Sequence, residues 1–155
     1  MTENELIKTF LTKAMDLCSR REYCTDDIRN KLQSWGITDV DSVKIINILY
    51  RENFINDTRY SKAFVRDKFS YNKWGKVKIA AHLKLKKIPP DIIKTSLDSI
   101  DHKDYIKILK EILSDHRRFI KAKNQYDLKG KLLRYGLSKG FESDLLYDLL
   151  NEIET

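Results

Sequence analysis

One apolar pattern occurs three times along the chain, and it constrains the fold more than any other feature. Residues 28–49 align with residues 79–100 at an offset of 51 positions, and residues 132–153 give a third copy at an offset of 104. Ile28 corresponds to Ile79, and Leu32 corresponds to Leu83. Within each copy, apolar residues lie three and four positions apart, which is the spacing of one helix face. Each copy therefore predicts two short helices joined by a turn.

A longer segment with helical periodicity precedes each copy, at about residues 3–20, 57–71 and 101–122. The chain is therefore predicted to be all-α, an elongated array of three tandem three-helix repeats with about nine helices, at residues 1–55, 56–100 and 101–155. Only five glycines and two prolines are present, which agrees with this class because β folds need many turn residues. A unit of about 50 residues barely buries its own core, so neighbouring units must stack.

The turn inside the middle repeat differs in sequence from the other two. Gly36-Ile37 and Gly140-Phe141 pair a glycine with an apolar residue, whereas the middle copy has Ile88-Pro89-Pro90. The prolines bar continuation of the preceding helix and favour the start of the next one. We therefore expect the angle between the two helices of the middle repeat to differ from that in its neighbours.

Positive charge is concentrated in two segments of the chain. Residues 1–65 carry ten basic and ten acidic side chains, and residues 89–115 have a net charge of −2. Residues 66–88 and residues 116–139 each carry eight basic and one acidic side chain, for a net +7 apiece, and residues 140–155 carry five acids and no base. Clusters of this kind favour a polyanion or an acidic protein surface as the partner. The alternative is that they are solvated helix faces.

The candidate contact residues for such a partner come from these two segments. On a helix over residues 74–87, Lys76, Lys84 and Lys87 fall within an arc of about 80° around Ala80. Arg117, Arg118 and Lys121 fit an arc of about 100° if the seventh helix reaches residue 122. The full candidate set is Arg66, Lys68, Lys73, Lys76, Lys84, Lys87, Arg117, Arg118, Lys121 and Lys123.

Three aromatic residues have two interpretations each. Trp74, Tyr71 and Tyr126 could stack on nucleobases, as aromatic side chains do when proteins bind single strands. Burial is the preferred interpretation for Trp74, because Trp74 and Trp35 both stand beside a glycine at a turn between helices. Partial burial is likewise the preferred interpretation for Tyr71 and Tyr126.

The sequence offers no catalytic, metal or cofactor site that we can argue. The glycines form no phosphate-binding loop, and the three histidines have no ligand spacing. Cys18 and Cys24 are expected to be ordinary free thiols, in keeping with a reducing cytoplasm. Thr25 is expected to be the N-cap of the following helix. No signal peptide and no membrane span are recognisable, so we expect a cytoplasmic, non-enzymatic protein without cofactors.

Three stretches, in this order, resemble the RecX family of bacterial RecA modulators. They are "CSRREYCTDDIRNKLQSWGI", "ENFINDTRYSKAFVRDKFSYNKWGKVKIAAHLKLKKI" and "KLLRYGLSKGF", and the resemblance extends from about residue 10 to residue 153. The spacing in Tyr71–Gly75 and the charged insert 101–123 are similar to the branch found in Bacteroidetes. The resemblance implies an elongated, curved array of three-helix repeats that acts without catalysis.

The same resemblance implies a partner and an effect. Family members bind the RecA nucleoprotein filament, which would lower ATP hydrolysis, strand exchange and the SOS response, and some members also bind DNA directly. We expect the chain to be a monomer. Two other hypotheses remain open at this point. One is a DNA-binding module without RecA specificity, suggested by the two basic segments, and the other is a helical adaptor for another acidic protein.

Overall fold

The computed structural model describes residues 2–152, and within that range all regular secondary structure is α-helical. The predicted fold class is therefore confirmed. The nine helices of the described part are α1 Glu3–Arg20, α2 Thr25–Ser34, α3 Asp39–Arg51, α4 Asp57–Ser70, α5 Lys76–Leu85, α6 Pro90–Asp98, α7 His102–Arg117, α8 Gln125–Ser138 and α9 Ser143–Glu152.

The helices pack around three hydrophobic cores. We refer to α1–α3 as the first unit, α4–α6 as the second unit and α7–α9 as the third unit, because the most extensive helix contacts all lie within these groups. Ile28 and Leu32 belong to the first core, Ile79 to the second and Leu146 to the third, and all four are fully buried. The boundaries at residues 55/56 and 100/101 stay a prediction.

The surface area agrees with an elongated arrangement. A compact globular protein of 18.4 kDa has an accessible surface of about 8,200 Å², whereas this chain exposes 9,909 Å². Three small cores placed side by side leave more surface in solvent than one shared core does. The array therefore presents long faces instead of a single deep cleft.

The three turns inside the units have the same hydrogen-bonding pattern, although the middle repeat has a different sequence there; the expected difference in helix angle stays a prediction. Gly36, Lys87 and Gly140 have φ values of 80°, 59° and 91°, so each takes the left-handed conformation that ends a helix. The apolar residue after each one donates its backbone N–H to a carbonyl five residues earlier. These bonds are Ile37 to Leu32 at 3.0 Å, Ile88 to Leu83 at 3.2 Å and Phe141 to Gly136 at 3.1 Å. The sequence difference therefore leaves the hydrogen bonding of the turn intact, because Lys87 adopts the glycine conformation.

Helix α7 is shorter than its periodicity predicts. It ends at Arg117, not near residue 122, and Arg118 is its C-cap. The side chain of Asn124 accepts a hydrogen bond from the Asp127 N–H and so caps α8. Because an N-cap residue has extended backbone, the chain must leave the helical conformation before Asn124. Residues 119–124 form the resulting connection.

Candidate functional site

The first junction joins the start of α2 to the second unit through charged side chains. It comprises Glu22, Cys24, Asp26 and Asp27 on one side and Asp57, Arg59, Lys86 and Lys87 on the other. The Lys86 ammonium lies 2.6 Å from Asp27 Oδ1, and the Lys87 ammonium lies 3.5 Å from Asp26 Oδ1. The hydrogen bond to Asp27 raises the pKa of Lys86, with a smaller opposing effect of burial. Both pairs place lysines of the α5–α6 turn against the acidic first turn of α2.

Arg59 adds a second set of contacts at this junction. Its Nε donates to Glu22 at 2.8 Å, which connects α4 to the segment between α1 and α2. Its Nη2 donates to the backbone carbonyls of Asn53 and Phe54 at 3.2 and 3.3 Å. One guanidinium therefore contacts the end of the first unit and the segment before α2 at the same time.

Cys24 is the N-cap of α2, so the expectation that Thr25 has this role is wrong. The Cys24 sulfur accepts from the Asp27 N–H at 3.4 Å, and the Asp27 carboxylate accepts from the Cys24 N–H at the same distance. Thr25 instead is the first residue of α2, and its N–H donates to Asp57 Oδ1 at 2.8 Å. Cys24 lies buried in the core of the second unit, and burial raises the pKa of its thiol to about 12. The thiol of Cys24 therefore packs in the core of the second unit and caps the N-terminus of α2.

The second junction joins the start of α5 to the third unit through backbone groups. Its residues are Gly75–Lys78 of the second unit and Tyr105, Lys139, Gly140 and Glu142 of the third. The Gly75 N–H donates to Lys139 O at 2.7 Å, and the Val77 N–H donates to Gly140 O at 2.9 Å. The Lys76 N–H donates to the Tyr105 hydroxyl at 2.9 Å, and that hydroxyl donates to Glu142. The N-terminal N–H groups of α5, which a capping side chain usually satisfies, are thus satisfied by another unit.

Two glycines allow this close approach. A Cβ placed on Gly75 would lie 2.5 Å from the Phe141 nitrogen and closer still to the Gly140 carbonyl. A Cβ on Gly140 would lie 2.7 Å from the Lys78 nitrogen. Both distances are shorter than van der Waals contact. The two backbones can therefore approach each other only because both residues are glycines and carry no Cβ. The sequence pairing of Trp74 with Gly75 therefore reflects a contact with a different unit.

Four lysines gather around Trp74 beside this junction, and we call them the Trp74 lysine cluster: Lys68, Lys73, Lys78 and Lys139. The ammonium groups of Lys68 and Lys78 lie 5.0 and 4.5 Å from the centre of the Trp74 ring. The Lys139 ammonium donates to the Asn72 carbonyl at 2.9 Å. Burial, followed by the charges of Lys78 and Lys73, lowers the pKa of Lys139.

Sequence reasoning identified half of this cluster. Lys68 and Lys73 were among the candidates, whereas Lys78 and Lys139 were not. Lys78 lies outside the arc of Lys76 and Lys84 on the wheel, and Lys139 is 61 residues further along the chain. The only signal in the sequence was that both lie in the two basic segments. Their proximity arises from the docking of two units, which helical periodicity does not report.

The predicted arc on α5 divides into three different environments. The Lys76 ammonium lies 5.0 Å from the centre of the Tyr105 ring, and Lys87 pairs with Asp26. Lys84 is exposed and has no ion pair within residues 2–152. Lys84 is therefore the arc member whose charge is most available to a partner. The contact role of all three stays a prediction.

Trp74 itself is half-buried, in keeping with the preferred interpretation. Its ring contacts the rings of Phe64 and His82, with centroids 6.5 and 4.6 Å away. Two ammonium groups also lie against it, as described above. The ring therefore positions lysine side chains, and a nucleobase could stack on it only by displacing them.

The second basic segment does not form the arc that was predicted. Arg117 is the last residue of α7, whereas Lys121 and Lys123 lie in the connection to α8, so the expected placement of Lys121 on the seventh helix is wrong. The Lys121 carbonyl accepts from Lys131, and the Lys123 N–H donates to the Asp127 carboxylate. The Lys123 hydrogen bond also lowers the pKa of Asp127.

Three exposed aromatic side chains adjoin the basic segments. Tyr71 is 83% exposed and Tyr126 is 88% exposed, so the expectation of partial burial is wrong for both. Phe119, next to Arg118, is also 83% exposed. Arg66, the remaining candidate, is exposed and lies 3.6 Å from Asp67. Exposed rings beside cations are the combination that single-strand binding proteins use.

No three His, Cys, Asp or Glu side chains of residues 2–152 converge in a way that could hold a metal ion. None of the helices in that range is both long enough and apolar enough to cross a bilayer.

Comparison with known proteins gives a consistent result. Residues 56–97 match the profile of the second three-helix domain of RecX. The regulatory protein RecX of Clostridium beijerinckii is 27% identical over 155 residues, and the match covers 99% of this chain and 72% of that protein. The RecX of Clostridium botulinum is 33% identical over 128 residues, covering 81% of this chain and only 59% of that longer protein. The crystal structure of RecX from Lactobacillus salivarius superposes with a TM-score of 0.83 at 22% identity, over 96% of both chains.

Proposed function

The chain belongs to the RecX family, and on that premise we propose that it is a non-catalytic regulatory protein that binds the RecA nucleoprotein filament. Binding would inhibit recombinase activity, and so lower ATP hydrolysis, strand exchange and the SOS response. The protein would act in the cytoplasm, as a monomer and without a cofactor. The relation of residues 71–75 and 101–123 to the Bacteroidetes branch stays a prediction.

The observation that carries this proposal is the combination of an elongated array with lysines that form no ion pair with any carboxylate of residues 2–152. A nucleoprotein filament repeats the same protein surface along its length and contains a polyanionic nucleic acid. A long protein with exposed cations at intervals can contact several filament subunits at once. Lys84 and the Trp74 lysine cluster supply such cations in the second unit and at its border with the third. Phosphate and carboxylate contacts of this type give affinity without sequence preference.

The test is the ATPase activity of the cognate RecA on single-stranded DNA. We expect the wild-type protein to lower ATP hydrolysis at saturation. Lys84→Glu combined with Lys73→Glu should weaken this inhibition about tenfold or more, because each change replaces a favourable contact with a repulsive one. Lys94→Glu is the matched control, since Lys94 is exposed on α6 and outside the candidate set. Full RecA ATPase and strand exchange at saturating wild-type protein would contradict the proposal.

A second candidate function is DNA binding without RecA specificity. It is favoured by Phe119 and Tyr126, which are exposed and lie in the same basic segment of the chain as Arg117, Arg118, Lys121 and Lys123. It predicts that affinity for bare DNA falls steeply as salt rises, and that Tyr126→Ala weakens binding to single strands more than to duplex. Equal affinity at low and moderate salt would exclude it.

A further inference from the structure

The four lysines of the Trp74 lysine cluster come from separate parts of the fold and meet across the second junction. Lys68 lies in the last turn of α4, Lys73 in the connection that follows it, and Lys78 in α5. Lys139 is the C-cap of α8 and belongs to the third unit. The cluster therefore exists in this form only when the third unit is docked on the second.

The side chains are held in place before any ligand arrives. Trp74 contacts Lys68 and Lys78 through its ring, and the Asn72 carbonyl holds Lys139. Lys73 has a φ of 56°, and the turn around it is fixed by hydrogen bonds from Lys73 N–H to Phe69 O at 3.1 Å and from Trp74 N–H to Lys68 O at 3.0 Å. Groups that are already ordered lose less conformational entropy on binding.

The charge of the cluster is not neutralised by ion pairs inside the part of the chain that the structure describes. Within residues 2–152, no carboxylate forms an ion pair with any of its four lysines. The nearest acid of the junction, Glu142, is hydrogen-bonded to the Tyr105 hydroxyl, and Asp67 lies beside Arg66. Burial and the charges of Lys78 and Lys73 lower the pKa of Lys139, as expected where like charges are gathered. The first junction, by contrast, pairs its lysines with aspartates.

The residue types indicate which anion fits. All four cations are lysines, which act as point charges and therefore favour a high density of negative charge, whereas bidentate recognition of a single flat group favours arginine. A phosphate group offers several acceptor oxygens in different directions, and a chain of phosphates offers several charges at the spacing of neighbouring ammonium groups. A phosphate chain therefore neutralises such a cluster better than isolated carboxylates.

We propose that the Trp74 lysine cluster binds a chain of phosphate groups, and that its occupancy stabilises the docking of the third unit on the second. The chain can be an inorganic polyphosphate or the backbone of a nucleic acid, which share this chemistry. Docking brings Lys139 to the other three lysines, so a ligand that contacts all four binds the docked form better. By linkage, the ligand then favours docking to the same extent. The proposal does not depend on RecA.

The first experiment measures binding by the fluorescence of Trp74. The chain has two tryptophans, so Trp35→Phe leaves Trp74 as the single reporter. Inorganic tripolyphosphate and oligo(dT) are titrated separately at constant ionic strength. We expect saturable binding of at least one of them, and about tenfold weaker binding by the Lys78→Gln/Lys139→Gln variant. Lys94→Gln should bind as the parent does.

The second experiment measures the coupling between ligand binding and the docking of the third unit on the second. Saturating ligand should raise the urea midpoint of unfolding in the parent, and raise it much less in the Lys78→Gln/Lys139→Gln variant. Tyr105→Phe retains all four lysines but removes the cap of the Lys76 N–H, so it should bind the ligand more weakly. Equal affinity of Tyr105→Phe and parent, or no midpoint shift at saturation, would overturn the coupling to docking.

Three outcomes would overturn the site itself. They are absence of binding by both tripolyphosphate and oligo(dT), equal affinity of the double variant and the Lys94→Gln control, and tighter binding of an oligoglutamate peptide than of either phosphate chain. Binding of oligo(dT) alone supports the proposal and identifies the nucleic-acid backbone as the source of the phosphates. Binding of tripolyphosphate as well supports it and indicates that a free phosphate chain suffices.

Discussion

The two junctions between units solve the same packing problem with different groups. The first junction uses side-chain ion pairs, Arg59 with Glu22 and Lys86 with Asp27, and a buried cysteine. The second uses backbone N–H and carbonyl groups, supplemented by the Tyr105 hydroxyl. The difference determines what remains for a partner. At the first junction aspartates neutralise the lysine charge. At the second junction the backbone makes the contact, and the lysines have no ion pair with the carboxylates that the structure describes.

The energies of the two junctions should also differ. Ion pairs as exposed as Arg59–Glu22 typically contribute about 0–1 kcal/mol each and weaken with salt. A buried backbone N–H that loses its partner costs about 1–3 kcal/mol, and salt hardly changes that cost. We therefore expect the second junction to be the stronger one, and the first to respond more to ionic strength.

The largest effect is expected from Gly75→Ala. The new Cβ would meet the Phe141 nitrogen at 2.5 Å, so the α5 start and the third unit must separate. We expect a loss of about 2–4 kcal/mol in the free energy of unfolding, measured in urea. Gly130→Ala in α8 is the control, because its Cβ would meet only the end of Arg134 at 3.7 Å. That change should stabilise by about 0.5–1 kcal/mol. Equal effects of the two substitutions would mean that the second junction is loose.

The next prediction concerns how the stability of each junction depends on salt concentration. Arg59→Gln should lower the free energy of unfolding by about 1 kcal/mol at low salt, and by less at high salt, because the charge in its contact with Glu22 is screened. Tyr105→Phe should have an effect that does not change with salt. Arg20→Gln is the control, because it breaks the ion pair of Arg20 with Asp16, whose side chains are 72% and 59% exposed. This change should lower the free energy of unfolding only slightly. A salt-independent Arg59→Gln effect would remove the electrostatic distinction between the junctions.

Helical periodicity and composition were enough to predict the architecture, because each repeat buries its own apolar face. Ile28, Leu32, Ile79 and Leu83 lie where the pattern placed them. The contacts between units could not be read in this way. The contacts between units depend on the close approach of Gly75 to Gly140 and on the burial of Cys24 in the core of another unit. Neither contact produces a periodic pattern of apolar residues in the sequence. The candidate lysines were drawn from the basic segments, and their contact role stays a prediction. The side chains and carbonyls that surround them in the fold depend on those same contacts between units.

A smaller effect compares the two lysines that have left-handed backbone, one beside each junction. Lys87 has a φ of 59° and Lys73 a φ of 56°. Glycine at either position relieves a cost of about 1 kcal/mol. Lys87→Gly also removes the Asp26 ion pair, whereas Lys73→Gly removes a charge that is repelled by Lys139. We therefore expect Lys73→Gly to stabilise more, by up to about 1 kcal/mol in urea unfolding. A larger stabilisation by Lys87→Gly than by Lys73→Gly would mean that the lysines of the Trp74 lysine cluster do not repel one another appreciably.

The smallest effect appears in the pH dependence of Lys139→Gln and Lys86→Gln. Burial and the neighbouring lysines lower the pKa of Lys139, so the folded state resists its charge. That cost is complete below the folded pKa and disappears as the pH rises from there towards 10.5, the ordinary pKa. The gain from Lys139→Gln should therefore be about 0.5 kcal/mol or less at neutral pH, and should fade on approach to pH 10.5.

Lys86 should behave in the opposite way, because its hydrogen bond to Asp27 raises its pKa. The stabilising contribution of Lys86 is complete below pH 10.5 and is lost only as the pH rises through the raised pKa of the folded state. The loss of stability caused by Lys86→Gln should therefore stay constant over the pH range in which the gain from Lys139→Gln fades. Urea midpoints of both variants and the wild type, measured between pH 8 and 10.5, test this contrast. Parallel profiles for the two variants would show that the lysines of the two junctions are in equivalent electrostatic surroundings, and the distinction between a neutralised and an unpaired junction would fail.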